Sequence, residues 1–191
     1  MIKAPLPPDE KARLAALRKL RLLDTPPEER FDRITRIAQR LFKVPTVLVS
    51  LVEDKRQWFK SCQGLDATET SRDCSFCAHA ILGDDVMVVP DAKQDPRFHD
   101  NVLVVGVPHI RFYAGCPLTM AGGHKAGTLC LIDSKPRTLS PADLALLCSL
   151  SSLVEDELNK EKLNLALAEV RDKEAELTDF LENAADLIQL S

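Results

Sequence analysis

The sequence contains no apolar run long enough to span a bilayer, and the segment 1–9 lacks the hydrophobic stretch of a signal peptide. It also contains no long tract of lysine and arginine. The formal net charge of -4 argues against general binding to nucleic acid or to an anionic membrane. We therefore expect a cytoplasmic protein whose partners are proteins or small molecules, with neither nucleic acid nor membrane among them.

The six cysteines show no spacing typical of a disulfide framework, and we expect most of them to be small core residues with free thiols. Only Cys74 and Cys77 are close together. On a helix these two share a face, whereas His79 points about 200° away from Cys77, so one metal ion could not easily bind all three. The other cysteines and histidines form no second close pair. We therefore expect no metal site.

The segment Arg72 to Ile81 begins a helix in this interpretation, and one side of that helix is apolar. Cys77 and Ile81 are four residues apart, as are Phe76 and Ala80, which predicts a buried side. Two functional readings stay open for this segment. It is either the lid helix of a small-molecule pocket or a redox switch.

Two helices are predicted before the first strand. The range Glu10 to Leu23 alternates leucines with basic residues in the pattern of an amphipathic helix. Thr25 is then a candidate N-cap, followed by two prolines that favour a helix start. The second helix carries one apolar stripe that we expect to lie in the core, formed by Phe31, Ile34, Ile37, Ala38, Leu41 and Phe42.

At least five strands follow, antiparallel where they are adjacent. Their predicted bounds are Thr46–Val52, Gln57–Cys62, Val86–Val89, Ile110–Leu118 and Lys125–Ile132. The connection from Asp91 to Pro108 is long, and loops of that length often cover a ligand. We therefore expect any ligand to lie over the sheet, between this loop and the helix that begins near Cys74.

The last third of the chain is predicted to be one helix, starting at Ser140 and Pro141 and continuing without a breaker. Its heptad spacing is typical of a coiled-coil seam, formed by Leu163, Leu167, Val170, Leu177 and Leu181. The alternative is a single solvated helix. We expect a homodimer held by the terminal helices, with the N-terminal helix in the same assembly.

A series of motifs, in chain order, resembles bacterial GAF domains. They are Leu23-Asp-Thr-Pro-Pro-Glu-Glu29, Val47-Leu-Val-Ser-Leu51, Arg56-Gln-Trp-Phe-Lys60, Ser75-Phe-Cys-Ala-His-Ala80, Val89-Pro-Asp-Ala92, Asp95-Pro-Arg-Phe98, Ile110-Arg-Phe-Tyr-Ala-Gly115 and Gly127-Thr-Leu-Cys130. The resemblance implies an α+β fold in which a six-stranded antiparallel sheet is flanked by helices on both faces and followed by a long C-terminal signalling helix. It also implies a pocket between the sheet and the loops.

The resemblance divides the chain into four parts. These are an N-terminal helix (1–22), a GAF domain (23–158), a helical or coiled-coil linker (159–178) and a segment that looks like the truncated start of a PAS domain (179–191). This order resembles the input half of a sensor histidine kinase of a two-component system or, as an alternative, of a diguanylate cyclase. It implies a non-catalytic sensory module that relays its state to a downstream output domain in the full-length protein.

The known ligands of GAF domains narrow the range of ligands expected for this chain. Bilin-binding members carry a cysteine directly followed by histidine, whereas Ala78 separates Cys77 from His79 here, so a covalent bilin is not expected. The signature of the cyclic-nucleotide-binding members is not found. The family also includes a free methionine sulfoxide reductase that uses several cysteines, but no spacing here identifies a nucleophile and its partner. We expect no catalytic residue and no cofactor. A thiol-based redox sensor or reductase using Cys77 is the alternative.

Five residues are candidates for contact with a small-molecule ligand: Trp58, Cys77, His79, Arg111 and Tyr113. Trp58 and Tyr113 are the only Trp and Tyr in the chain, and each is either a core residue or a pocket wall. His79 is either a core or surface histidine or a ligand contact. Arg111, at the start of a strand, is either exposed or an inward anchor for a carboxylate or phosphate.

Overall fold

The structure, a computed structural model, describes residues 1–189. The last two residues of the segment predicted to open a PAS domain, Leu190 and Ser191, lie outside the described residues, and so do the side chains of 161–165, 168–169 and 179–189. The chain divides into two compact units, one from Met1 to Leu158 and a second from Asn159 onward.

The first unit contains one six-stranded sheet in which every neighbouring pair is antiparallel. This confirms the expected sheet. The strands are β1 (Thr46–Val52), β2 (Arg56–Gln63), β3 (Glu69–Ser71), β4 (Met87–Val89), β5 (Phe112–Thr119) and β6 (Lys125–Asp133), in the spatial order β3-β2-β1-β6-β5-β4. The strand that the sequence pattern did not predict is β3, because three polar residues carry no apolar alternation.

The described residues form five α-helices: α1 (Glu10–Lys19), α2 (Glu29–Phe42), α3 (Phe76–Ala80), α4 (Val102–Val105) and α5 (Pro141–Gln189). A 3-10 turn, Arg72–Cys74, precedes α3. The helix predicted to reach Leu23 ends at Lys19, since Arg21 adopts a left-handed backbone conformation with φ 54°. Thr25 does not cap α2. Its hydroxyl donates to the Leu22 carbonyl (2.6 Å), and the helix begins four residues later.

The two faces of the sheet carry separate apolar clusters because side chains alternate along a strand. Val47, Val49 and Leu51 face α1, α2 and the first part of α5, where Leu147 and Val154 are fully buried. The residues between them on β1 face α3 and the long loop, in a cluster with Phe76, Phe98 and Tyr113. The sheet is therefore covered by helices on both faces.

The apolar stripe of α2 is only partly in the core. Phe31, Ile34 and Ala38 are buried, but Ile37 and Leu41 are 48% and 53% exposed. The prediction that the whole stripe is buried was wrong for these two. They lie one turn apart on the flank of the helix that faces away from the sheet.

In the second unit, α5 continues as a helix, and the side chains of Leu167, Val170 and Leu177 are exposed. The coiled coil stays a prediction. Among the described residues, no helix is both long and apolar enough to cross a membrane.

Candidate functional site

A cavity of about 250 Å³ lies on the sheet face that carries α3. Its walls come from β1, β2, β5, β6, α3, the segment 65–70 and the segment 103–110. Its lining residues are Thr46, Leu48, Gln57, Phe59, Leu65, Asp66, Ala67, Thr70, Ser75, Phe76, Cys77, Leu103, Val107, Pro108, Ile110, Tyr113 and Ile132. Asp66 and Val107 are solvent-exposed and mark the mouth. The sequence predicted a cavity in this position but did not predict the contribution of segment 65–70.

A thiol lies against the floor of this cavity. The Sγ of Cys77 accepts hydrogen bonds from the Thr128 hydroxyl (3.0 Å) and the Tyr113 hydroxyl (3.3 Å). The Sγ of Cys130 lies 3.8 Å from it. All four side chains are fully buried apart from the side of Cys77 and Tyr113 that borders the cavity.

This environment separates the acidities of the two thiols. Burial alone would raise the pKa of Cys77, but the neighbouring Cys130 thiol and the hydroxyls of Thr128 and Tyr113, which donate to the Cys77 sulfur, outweigh burial and lower it. Burial and the neighbouring Cys77 raise the pKa of Cys130 well above its ordinary value. Cys77 is thus the thiol of the pair that ionises first.

The Tyr113 ring occupies the space above Gly115, two residues further along β5. A Cβ at Gly115 would lie 2.0 Å from the Tyr113 hydroxyl oxygen, so only glycine leaves room for the ring. The other side of the ring packs against Phe76, with centroids 5.2 Å apart. The burial of Tyr113 raises its pKa well above the ordinary value, which keeps its hydroxyl a hydrogen-bond donor.

Polar side chains near the start of α3 hold this helix in place through hydrogen bonds. The Ser75 hydroxyl accepts from the backbone N–H of Ala78 (3.0 Å) and contacts the Gln57 side-chain oxygen. The Asn101 amide donates to the Cys74 carbonyl (3.0 Å), which ties the long loop to the start of α3. Of the described residues that line the cavity, only Asp66 carries a charge. The cavity therefore suits a small, mostly apolar molecule with one or two polar groups.

Arg111 does not act as an inward anchor. Its guanidinium donates to the carbonyl oxygens of Val104 and Ile110, both at 2.9 Å, and it is absent from the cavity lining. The expectation that it anchors a ligand inside this cavity is wrong, because its Nη1 donates to two backbone carbonyls and its side chain does not line the cavity. Arg111 instead fixes the loop that forms one wall of the cavity.

His79 also lies outside the cavity lining. Its ring packs edge-on against Phe98, with centroids 4.9 Å apart, and its Nε2 lies 3.0 Å from the Ile2 carbonyl oxygen. Burial lowers its pKa. The residue belongs to the outer side of α3, opposite Cys77, as the helical spacing predicted.

Trp58 lies on the wrong face of the sheet for a pocket wall. Its neighbour Phe59 lines the cavity, so the alternation of β2 turns the indole toward the other face, where it packs in the cluster of α1, α2 and α5. The structure thus brings together only Cys77 and Tyr113 of the five candidates. It adds Thr128 and Cys130, whose two-residue spacing on a predicted strand was the available signal that they share a face.

Comparisons with known proteins agree with this fold. A model of the GAF domain matches residues 26–158. A cyclic di-GMP phosphodiesterase of Pseudomonas aeruginosa is 46% identical over 155 residues, which are 81% of this chain and 26% of that protein. The chain therefore spans about a quarter of the length of this curated relative.

Two solved structures show the same fold at low identity. One is the free methionine-R-sulfoxide reductase from Neisseria meningitidis in complex with its substrate, with 18% identity, coverage of 85% of this chain and 99% of that one, and a TM-score of 0.55. The other is the GAF domain of the Acinetobacter phosphoenolpyruvate-protein phosphotransferase, with 16% identity, coverage of 77% and 92%, and a TM-score of 0.54.

Proposed function

From the premise that this chain belongs to the GAF domain family, we propose that it is the sensory input module of a larger bacterial signalling protein and catalyses no reaction itself. A small molecule in the cavity changes the arrangement of the sheet, and α5 carries that change to an output domain. The proposal does not require a resident cofactor.

The observation that carries this proposal is that β5 contacts both the cavity and α5. Tyr113 forms part of the cavity floor. Further along the same strand, the Sγ of Cys116 lies 3.9 Å from that of Cys148 on α5, and the backbone N–H of Thr119 donates to the Glu155 carboxylate on α5 (2.5 Å). A rigid strand that touches both sites gives a ligand a direct route to bias the helix.

The relay is tested by filling the cavity without a ligand. We expect Ala67→Phe, which adds an apolar ring at the cavity mouth, to slow amide exchange about threefold in β5 and in the part of α5 before Leu158. Hydrogen exchange with mass spectrometry gives the readout. Ala15→Phe, on the exposed side of α1, is the matched control and should leave both segments unchanged. Slower exchange in β5 with no change in α5 would contradict the relay.

We also propose that the chain forms a homodimer through its terminal helices, which would serve the same role. The exposed side chains of Ile37 and Leu41 on α2, and of Leu146 and Leu153 on α5, are apolar and require a partner if they are to leave water. We expect light scattering to show a dimer that Leu153→Glu weakens and the neighbouring Ser152→Glu does not. If both variants associate equally, Leu153 does not lie in the dimer interface.

The output domain is proposed in two forms. The order of elements supports a sensor histidine kinase, and the Pseudomonas relative supports an enzyme of cyclic di-GMP turnover. The PAS domain expected to begin at 179 fits either form. In either form the present chain is the regulator, so we expect no hydrolysis of cyclic di-GMP by the purified chain. Detectable hydrolysis that scales with protein concentration would overturn the non-catalytic role.

A further inference from the structure

We propose that Cys77 and Cys130 form a peroxide-reactive thiol pair, in which a small hydroperoxide entering the cavity oxidises Cys77 and Cys130 then closes a disulfide that links α3 to β6. This inference goes beyond the proposed function and needs no other ligand. It gives the cavity a second class of reactant.

The geometry places two thiols within reach of one another without a hinge. Their sulfurs lie 3.8 Å apart, and a disulfide bond is about 2.05 Å long, so closure requires an approach of less than about 2 Å. Cys130 is fixed by strand pairing, opposite Leu48 on one side and Gly115 on the other. Cys77 lies on α3, which is only five residues long. The movement on closure therefore falls mainly on α3.

Position and hydrogen bonding assign a different role to each thiol. Cys77 lines the cavity and Cys130 does not, so a reactant that enters the cavity meets Cys77 first. The hydroxyls of Thr128 and Tyr113 both donate to the Cys77 sulfur, which stabilises the thiolate, the form that attacks peroxides. The lowered pKa of Cys77 agrees with this arrangement.

The chemistry balances with the hydroperoxide as the oxidant. The Cys77 thiolate attacks the peroxide oxygen, the O–O bond breaks, and the leaving alkoxide or hydroxide takes a proton, so Cys77 becomes a sulfenic acid. The Cys130 sulfur then attacks the sulfenic sulfur. The S–S bond forms, the S–O bond breaks, and hydroxide leaves with the Cys130 proton as water. The two sulfurs lose two electrons, and the peroxide gains them.

The chain offers an internal comparison for this pair. The sulfurs of Cys116 and Cys148 lie 3.9 Å apart on the other face of the sheet, at nearly the same separation. That pair lies outside the cavity, and burial raises the pKa of Cys116 to about 11. If separation alone decided reactivity, both pairs would oxidise alike. We expect the pair at the cavity, Cys77 and Cys130, to oxidise faster.

The test is a titration of the whole purified chain with hydrogen peroxide, followed by alkylation of free thiols and peptide mass mapping. We expect a peptide that joins Cys77 to Cys130, lighter by about 2 Da than its two reduced parts. It should form in Cys148→Ser as in wild type and be absent in Cys77→Ser. In Cys130→Ser the reaction should stop at a sulfenic acid on Cys77, which dimedone traps.

A second measurement does not depend on the cysteine variants folding. We expect Thr128→Val to slow alkylation of Cys77 by iodoacetamide at neutral pH by about three- to tenfold, because the thiolate loses a donor. Thr46→Val is the matched control, since Thr46 lines the cavity and its hydroxyl donates to the Gly64 carbonyl (3.2 Å), and its rate should equal that of wild type. Free Cys77 and Cys130 after peroxide treatment, a disulfide only between Cys116 and Cys148, or equal alkylation rates in both threonine variants would each overturn the proposal.

Discussion

Protonation of one carboxylate, Glu10, should lower the free energy of unfolding of the first unit in acid. Glu10→Gln should cause the same loss of stability at neutral pH. The carboxylate accepts two hydrogen bonds from Arg13, at 2.7 and 2.9 Å, and also contacts Arg72. Arg13 is only 1% exposed, and its remaining donors reach the carbonyls of Val52 (2.8 Å) and Lys125 (3.1 Å). The network joins α1 to β1, to β6 and to the 3-10 turn before α3.

The magnitude follows from the pKa of Glu10. Burial alone would raise this pKa, but the hydrogen bonds from Arg13 and Arg72 outweigh it and lower the pKa from 4.5 to about 2. A shift of that size corresponds to about 3 kcal/mol of folding free energy. Since the pKa is lowered in the folded state, this contribution is complete above about pH 4.5 and disappears as the pH falls through about 2.

Urea denaturation at a series of pH values measures the effect. We expect Glu10→Gln to lower the free energy of unfolding by about 3 kcal/mol at pH 7, because it leaves a buried guanidinium without its counter-charge. The difference from wild type should shrink below about 1 kcal/mol near pH 2. Asp84→Asn, which breaks an ion pair of a side chain that is 91% exposed, is the matched control and should change nothing measurable. A difference for Glu10→Gln that is the same at pH 7 and pH 2 would refute the reasoning.

Two further substitutions test the walls of the cavity. Gly115→Ala should lower the free energy of unfolding by about 1–3 kcal/mol, because its Cβ displaces the Tyr113 ring, and an unchanged denaturation midpoint would contradict that packing. Arg111→Met removes the bonds to Val104 and Ile110, so we expect amide exchange in 102–107 to rise about tenfold while global stability changes little. Exchange that stays at the wild-type rate would show that other contacts hold the loop.

Most of the sheet could be predicted from the sequence because four of its strands, β1, β2, β5 and β6, are seven to nine residues long. The predicted bounds of β1 are those observed, and β6 differs by one residue. The missed strand β3 is three residues long and polar, so its pairing with β2 is a tertiary effect. Local sequence also gave no sign that α1 would end at Lys19, because Arg21, which adopts the left-handed conformation, is not a residue that favours it.

The site was harder to predict than the fold. Both faces of the sheet are buried, so an apolar strand does not show which of its two faces borders the cavity. The sequence therefore left Trp58 open between a core residue and a pocket wall, and it is a core residue. Arg111 was a candidate ligand anchor because an inward guanidinium at the start of a strand can bind a carboxylate or phosphate. Its partners proved to be carbonyls of the long loop, which no local pattern reveals. Cys77 lines the cavity and His79 does not, and the helical spacing between them had already placed these two side chains on opposite sides of α3.

The cavity is built from two kinds of structure with different tolerance to change. Its floor consists of strand residues such as Tyr113, and inserting one residue into β5 would exchange every side chain between the two faces. Its mouth consists of loop residues such as Asp66 and Val107, where substitutions and insertions leave the strand register intact. Mutation can therefore diversify what the cavity accepts while the contacts from β5 to α5 are inherited unchanged, and one output mechanism can serve a succession of different stimuli.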